Sequence, residues 1–155
     1  MDRACLEGAY LSQNLRVFSD GGARGNPGPA AIAFIATTES GVTVKADSRY
    51  IGIHTNNQAE YQALLLALKY ASEQKASQVT CHLDSELVTK QLNGEYAIKN
   101  YELQQLFAQV QGFKNCFKKI AFVHVPRSHP MIQRADALVN KTLDEEAKRR
   151  LSKFP

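Results

Sequence analysis

The sequence predicts an α/β domain built on a mixed sheet, and three observations carry that prediction. Three apolar runs of strand-forming residues come first, separated only by turns, which suits antiparallel hairpins. Two later runs are each reached through helix-forming segments, which suits parallel crossovers. Two of the runs, at 17–20 and 79–84, end on an acid. The element order is β-β-β-α-β-α-α-β-α.

Residues 15–20 read as the first strand, with Val17-Phe18-Ser19-Asp20 followed by Gly21-Gly22-Ala23-Arg24-Gly25-Asn26-Pro27-Gly28-Pro29. Val and Phe favour strands, whereas Gly, Asn and Pro break them. Asp20 is therefore expected at a strand end, where side chains become accessible. Gly25 and Asn26 fall in a loop whose backbone can approach a ligand closely. Residues 30–37 form an apolar run suited to a central strand, Glu39-Ser40-Gly41 is a turn, and residues 42–50 return as the hairpin partner. Ile51 to His54 is expected to lead out of the sheet.

Thr55, Asn56 and Asn57 are helix-capping types, and strong helix formers follow from Tyr61 to Ala71. Glu60, Leu64, Ala67, Leu68 and Ala71 share one face. Glu60 thus points along the apolar stripe toward the sheet, although an acid in a first turn is also what the helix dipole favours by itself. The run 79–84 ends on Asp84, and a short helix over Ser85 to Leu92 follows, capped by Asp84 or Ser85 and ended at Gly94. Tyr101 to Phe113 is amphipathic, with Leu103, Leu106, Phe107 and Val110 as core positions. Lys114, Lys118 and Lys119 read as a solvated face. Residues 120–125 form the last strand, closed by Pro126, and Arg127-Ser128-His129-Pro130 is a polar loop. The final helix spans residues 131–150, with Asp136 in its second turn beside Ala135, Leu138, Val139 and Leu143. His82 and His124 read as structural, Asn140, one turn after Asp136, as a helix-surface residue with support of that acid as its alternative, and the basic end as a fraying tail.

At 155 residues the chain is expected to form one domain, large enough to bury a core without disulfide staples. Residues 1–14 read as a short N-terminal extension, 15–147 as the domain and 148–155 as a basic tail. A net charge of +4 leans toward a polyanionic partner. The cysteines, Cys5, Cys81 and Cys116, are too widely spaced for a zinc site, and their odd number suits a reducing compartment. No apolar run approaches the ~20 residues needed to cross a bilayer, so no membrane role is expected. The first residues carry Asp2 and Glu7 and do not read as a signal peptide, so the expected location is cytoplasmic and the expected state a monomer.

Four carboxylates stand in similarly marked places. If the strands ending on Asp20 and Asp84 are parallel neighbours, both acids emerge at one sheet edge, where open α/β sheets place ligands. Glu60 and Asp136 point there from two helices. Four such acids repel one another unless cations bind, and oxygen-only ligands suit Mg²⁺ or Mn²⁺. Two such ions can activate water and stabilise the leaving oxygen of a phosphodiester.

The motifs Asp20 to Pro29, Thr55-Asn56-Asn57-Gln58-Ala59-Glu60, Asp84-Ser85 and Arg134-Ala135-Asp136-Ala137-Leu138 together resemble the successive signatures of type 1 ribonuclease H. The resemblance covers about residues 15–145. It implies a ribonuclease H-like fold, a five-stranded mixed sheet flanked by helices. It also implies endonucleolytic cleavage of the RNA strand of RNA–DNA hybrids, giving 5′-phosphate and 3′-hydroxyl ends. Asp20, Glu60, Asp84 and Asp136 match the family's ligands for two metal ions. Gly25, Asn26, Asn56, Asn57 and Gln58 match parts that touch the hybrid's minor groove. The segment after Asp84 carries no long basic insertion and the chain has no Trp, so it resembles the family's compact subgroup. Lys90, Lys99, Asn100 or the basic C-terminus are the candidates to replace that basic handle. In the loop before the last helix, His129 matches the family's mobile catalytic histidine, with Arg127 as its rival.

Two other readings follow from the same residues. One is a hybrid-binding module without catalysis, which intact acids at all four positions argue against. The other is a metal-dependent nuclease acting on duplex RNA or branched DNA.

Overall fold

Three consecutive strands build one half of a five-stranded sheet, and two strands reached through helices complete it. In the computed structural model, residues 13–153 are described, so the expected N-terminal extension lies almost entirely outside the described residues. The strands are β1 (Asn14–Ala23), β2 (Gly28–Thr38), β3 (Thr43–His54), β4 (Gln78–Leu83) and β5 (Lys119–His124). The helices are α1 (Asn56–Glu73), α2 (Glu86–Leu92), α3 (Tyr101–Gly112) and α4 (Pro130–Leu151), with a 3-10 turn at Lys114–Cys116. The strand order is β3-β2-β1-β4-β5. β1, β2 and β3 pair antiparallel, whereas β4 lies parallel to both β1 and β5.

Two boundaries differ most from the sequence reading. β1 does not stop at Asp20 but runs on through Gly21, Gly22 and Ala23, which pair with Ile32, Ala31 and Ala30 of β2. Ile51 to His54 stays in the sheet because Gly28 and Pro29 pair with His54 and Ile53. In both places a partner strand supplies the hydrogen bonds that local propensity argues against.

The core lies on both faces of the sheet. On one face α1 sets Tyr61, Leu64 and Leu68 against Val17, Phe34 and Cys81, all fully or nearly fully buried. Burying each such side chain contributes about 1.5–3 kcal/mol. The Tyr61 hydroxyl donates to Gln91 Oε1 at 2.9 Å, tying α1 to α2, and burial pushes its pKa up to about 12. On the other face α4 packs Ala135, Val139 and Leu143 on Ala31, Ala33 and Ile35. α4 is also stitched to the β3 edge along its length. Arg134 donates to Thr43 at 3.2 Å, Thr142 to Ser48 at 2.9 Å, and Arg150 to the Tyr50 hydroxyl at 2.8 Å.

The expected fraying of the basic end is corrected as far as Leu151, because Glu146 pairs with both Arg149 and Arg150 and holds them in the helix. No helix among the described residues is long and apolar enough to cross a membrane.

Candidate active site

Asp20 lies in the middle of β1, at the level where β4 ends. The parallel register pairs Phe18 with His82, so two residues further on Asp20 and Asp84 come side by side. Since β4 stops at Leu83, the Gly21 N–H lacks a strand partner on that side, and Glu60 Oε1 accepts it at 3.1 Å. Glu60 reaches this point because α1 touches the strand directly. A Cβ on Gly21 would fall on the Ala59 carbonyl, so only glycine permits the contact.

The N-terminus of α1 closes with a capping box. Thr55 Oγ1 accepts from the Gln58 N–H at 3.1 Å, and Gln58 Oε1 accepts from the Thr55 N–H at 2.9 Å. The cap of α2 falls to Ser85, whose hydroxyl accepts from the Val88 N–H at 3.2 Å. This resolves the choice left open by the sequence and leaves the Asp84 carboxylate to the cleft.

Asp20, Glu60 and Asp84 each offer an oxygen within 4.8 Å of the others. A cleft of about 410 Å³ brings them together with Asp136, Asn56, Asn57 and Arg127. Asp136 stands on exposed helix surface outside the tight trio, yet it reaches Asp20 both by its charge and by a side-chain hydrogen bond. Burial, then the charges of Asp84 and Asp136, raise the Asp20 pKa to about 7. Burial, then the charges of Asp20 and Asp84, hold Glu60 well above the usual carboxylate range, partly offset by the Gly21 hydrogen bond. Two buried acids that resist ionisation beside a third carboxylate are a donor set that could hold a cation. An all-oxygen donor set fits a hard divalent ion.

The amides of the glycine-rich loop and of α1 hold each other. Asn56 Oδ1 accepts from the Ala23 N–H at 2.8 Å, and Asn26 Oδ1 accepts from the Asn56 N–H at 2.9 Å. Because both partners are backbone donors, the oxygens are fixed inward and the two Nδ2 groups are left as donors. Gly25 adopts φ +95 in this loop, a conformation that favours glycine. Gln58 takes a different place from the one expected. Its oxygen serves the capping box and its Nε2 donates to Glu102 at 3.3 Å.

The two loop candidates separate. Arg127 Nε lies 3.6 Å from Asp84 Oδ2, with a side chain 91% exposed. His129 does not line the cleft. It is the N-cap of α4, its Nδ1 accepts from the Met131 N–H at 3.1 Å, and its ring stacks on Phe18 at 5.2 Å. Of the two loop candidates, the structure places Arg127 at the cleft beside Asp84, whereas a helix start claims the imidazole of His129. His124 Nε2 lies 3.3 Å from the Asp84 carbonyl oxygen, and Asn140 hydrogen-bonds Asp136. Both residues read as surroundings in the sequence; the His124 contact has no local signal, whereas Asn140 stands four positions after Asp136 on one helix, the spacing that brings side chains together.

The candidates for a basic handle are also largely engaged. Lys90 lies 3.8 Å from Glu86 and donates to Tyr96, Asn100 caps α3 through Leu103, and Arg149 and Arg150 hold Glu146.

A family model described as reverse transcriptase-like matches residues 18–142. The bifunctional protein Rv2228c of Mycobacterium tuberculosis is 38% identical over 83% of this chain, which spans 35% of that protein's length. The RNase H1 of the halophilic archaeon Halobacterium salinarum superposes with a TM-score of 0.81 at 36% identity, covering 85% of this chain and 98% of that one. LC11-RNase H1, solved in complex with an RNA/DNA hybrid, superposes with a TM-score of 0.79 at 39% identity over 86% of this chain and 99% of its own.

Proposed function

Because this chain belongs to the ribonuclease H family, we propose that it is an endoribonuclease that hydrolyses the RNA strand of RNA–DNA hybrids and leaves 5′-phosphate and 3′-hydroxyl ends. The observation that carries this reading is the meeting of Asp20, Glu60 and Asp84 within 4.8 Å in a cleft that also bears Asn56 and Asn57. The hybrid bound to LC11-RNase H1 supports the substrate class.

Asp20, Glu60, Asp84 and Asp136 would hold two Mg²⁺ or Mn²⁺ ions, which supply an activated water and charge stabilisation of the leaving oxygen when bound. The chain's own residues do the rest. Glu60 is held by the Gly21 N–H, so its carboxylate is placed before any ligand arrives. Asn56 in the cleft and Asn26 in the adjoining loop present amide donors, matched to the 2′-hydroxyls that line a wide, shallow minor groove. Arg127 can leave Asp84 for a phosphate oxygen, which a guanidinium grips in charge-assisted bonds.

The test is cleavage of one end-labelled RNA strand, presented single-stranded, in duplex RNA and in an RNA–DNA hybrid. Each is run with Mg²⁺, Mn²⁺ or EDTA, with Asp84→Asn alongside. Metal-dependent cutting of the hybrid, lost in the variant, is the expected result. Cutting of duplex RNA as well would mark a broader nuclease, and binding of hybrid without cutting would replace the enzyme with a binding module.

A further inference from the structure

Asp136 differs from the other three acids in how it is held. Asp20 and Glu60 are buried, and the Asp84 side chain is only 9% exposed, but Asp136 stands on the exposed surface of α4. An exposed carboxylate rotates among positions, and a ligand that rotates binds an ion weakly. Besides its contact with Asp20, Asp136 is restrained by Asn140, one turn further along α4. Asn140 Nδ2 donates to Asp136 Oδ2 at 3.3 Å and to the Asp136 carbonyl oxygen at 3.1 Å.

The orientation of that amide is itself set from outside the helix. Arg24, in the glycine-rich loop between β1 and β2, places Nη2 3.4 Å from Asn140 Oδ1 and 3.4 Å from the Asn140 carbonyl oxygen. The same Nη2 lies 2.7 Å from Asp144 Oδ1, which anchors the guanidinium on α4. A guanidinium only donates, so the amide oxygen must face Arg24 and the NH₂ end must face Asp136. Flipping Asn140 would set its NH₂ group against the arginine and its oxygen against the carboxylate, losing both contacts.

We propose that Asn140 is a positioning residue for Asp136, and that Arg24, braced by Asp144, holds Asn140 in the orientation that this requires. The proposal rests on the reading of Asp136 as a metal ligand. Its effect is on the affinity of the site for a divalent ion and on turnover, not on hybrid capture. Partners that orient a metal ligand typically matter by about 10–100-fold in metal affinity or activity.

The test measures Mn²⁺ binding by titration calorimetry in the full chain, for the unaltered protein, Asn140→Ala, Arg24→Ala and the double variant. Asn140→Ala should bind Mn²⁺ about tenfold more weakly. Arg24→Ala should show a smaller loss, and the double variant should be no worse than Asn140→Ala alone, as for two groups acting through one contact. Cleavage by Asn140→Ala should show a lower kcat at limiting Mn²⁺, recovery at high Mn²⁺, and an unchanged KM for the hybrid. Arg24→Lys, which keeps a donor for Asn140 Oδ1, should restore part of the affinity. A normally melting Asn140→Ala with unaltered Mn²⁺ affinity would overturn the proposal, and losses that multiply in the double variant would remove Arg24 from it. If the unaltered protein binds no Mn²⁺, the metal reading fails first and takes this inference with it.

Discussion

Glu60 Oε1 accepts the backbone N–H of Gly21 at 3.1 Å, across a helix–strand contact that leaves no room for a side chain on Gly21. That pair decides where the acid of a helix meets the acid of a strand. Gly21→Ala should therefore push α1 off β1, lowering stability by about 1–3 kcal/mol and weakening divalent binding with it. Gly22→Ala is the control, because its Cβ would meet only Val139 Cγ1 at an ordinary 3.7 Å. Thermal melts of the two variants should differ sharply; equal, small shifts would refute the close-contact argument.

Metal-free protein should lose stability as the pH rises toward neutrality. The Asp20 pKa is raised to about 7 by burial and by its acidic neighbours, so the folded state holds a proton that the unfolded chain releases near the ordinary value of 3.8. That contribution is complete below the unfolded value and disappears as the pH passes through the folded one, on the order of a few kcal/mol in all. In EDTA the Tm should fall between about pH 4 and 7, and Mn²⁺ should restore it at neutral pH. Asp20→Asn should flatten the slope, though not abolish it, because Glu60 is raised as well. An unchanged slope in the variant would place the pH dependence elsewhere.

Arg127 and His129 should part company in kinetics. Arg127 contacts Asp84, so Arg127→Ala should lower kcat by about tenfold or more while leaving the Tm unchanged. His129 caps α4, so His129→Ala should cost about 1 kcal/mol of stability and leave turnover nearly intact. The reverse pattern would return the catalytic assignment to the histidine.

Asn56→Asp keeps an oxygen where Ala23 needs an acceptor and exchanges the outward donor for an acceptor that carries negative charge. Folding should be preserved. Hybrid KM should rise about tenfold, the equivalent of about 1.4 kcal/mol. A normal KM would mean that this amide faces no acceptor on the substrate.

The acids were legible in the sequence because each stands where a simple pattern breaks. Asp20 and Asp84 close apolar runs, Glu60 interrupts an apolar stripe, and Asp136 directly follows an apolar position of α4, Ala135. The meeting of Asp20 and Asp84 followed from one topological condition, that β1 and β4 be parallel neighbours, and they are. The continuation of β1 beyond Asp20 was not legible, because Gly21 and Gly22 have no strand preference of their own and pair only because β2 is there. The same holds for Gln58, whose amide suits a substrate and a capping box equally well until the helix start is located. Contacts such as Arg24 to Asn140 or Arg150 to Tyr50 join residues a hundred or more positions apart, beyond the reach of any local pattern.

The seam between α4 and the β3 edge makes this helix a lever with Asp136 near one end and Arg150 near the other. The two residues are fourteen positions apart on one helix, or about 21 Å at 1.5 Å per residue. A tilt of about 3° about the Tyr50 end would carry Asp136 through about 1 Å, a displacement of the size that can cost about 10²-fold in rate. Three bonds fix that tilt, Arg134 to Thr43 beside Asp136, Thr142 to Ser48 and Arg150 to the Tyr50 hydroxyl, so the distant tyrosine helps to aim a carboxylate it never touches, and replacing it should be felt as lost precision at the cleft before it is felt as lost stability.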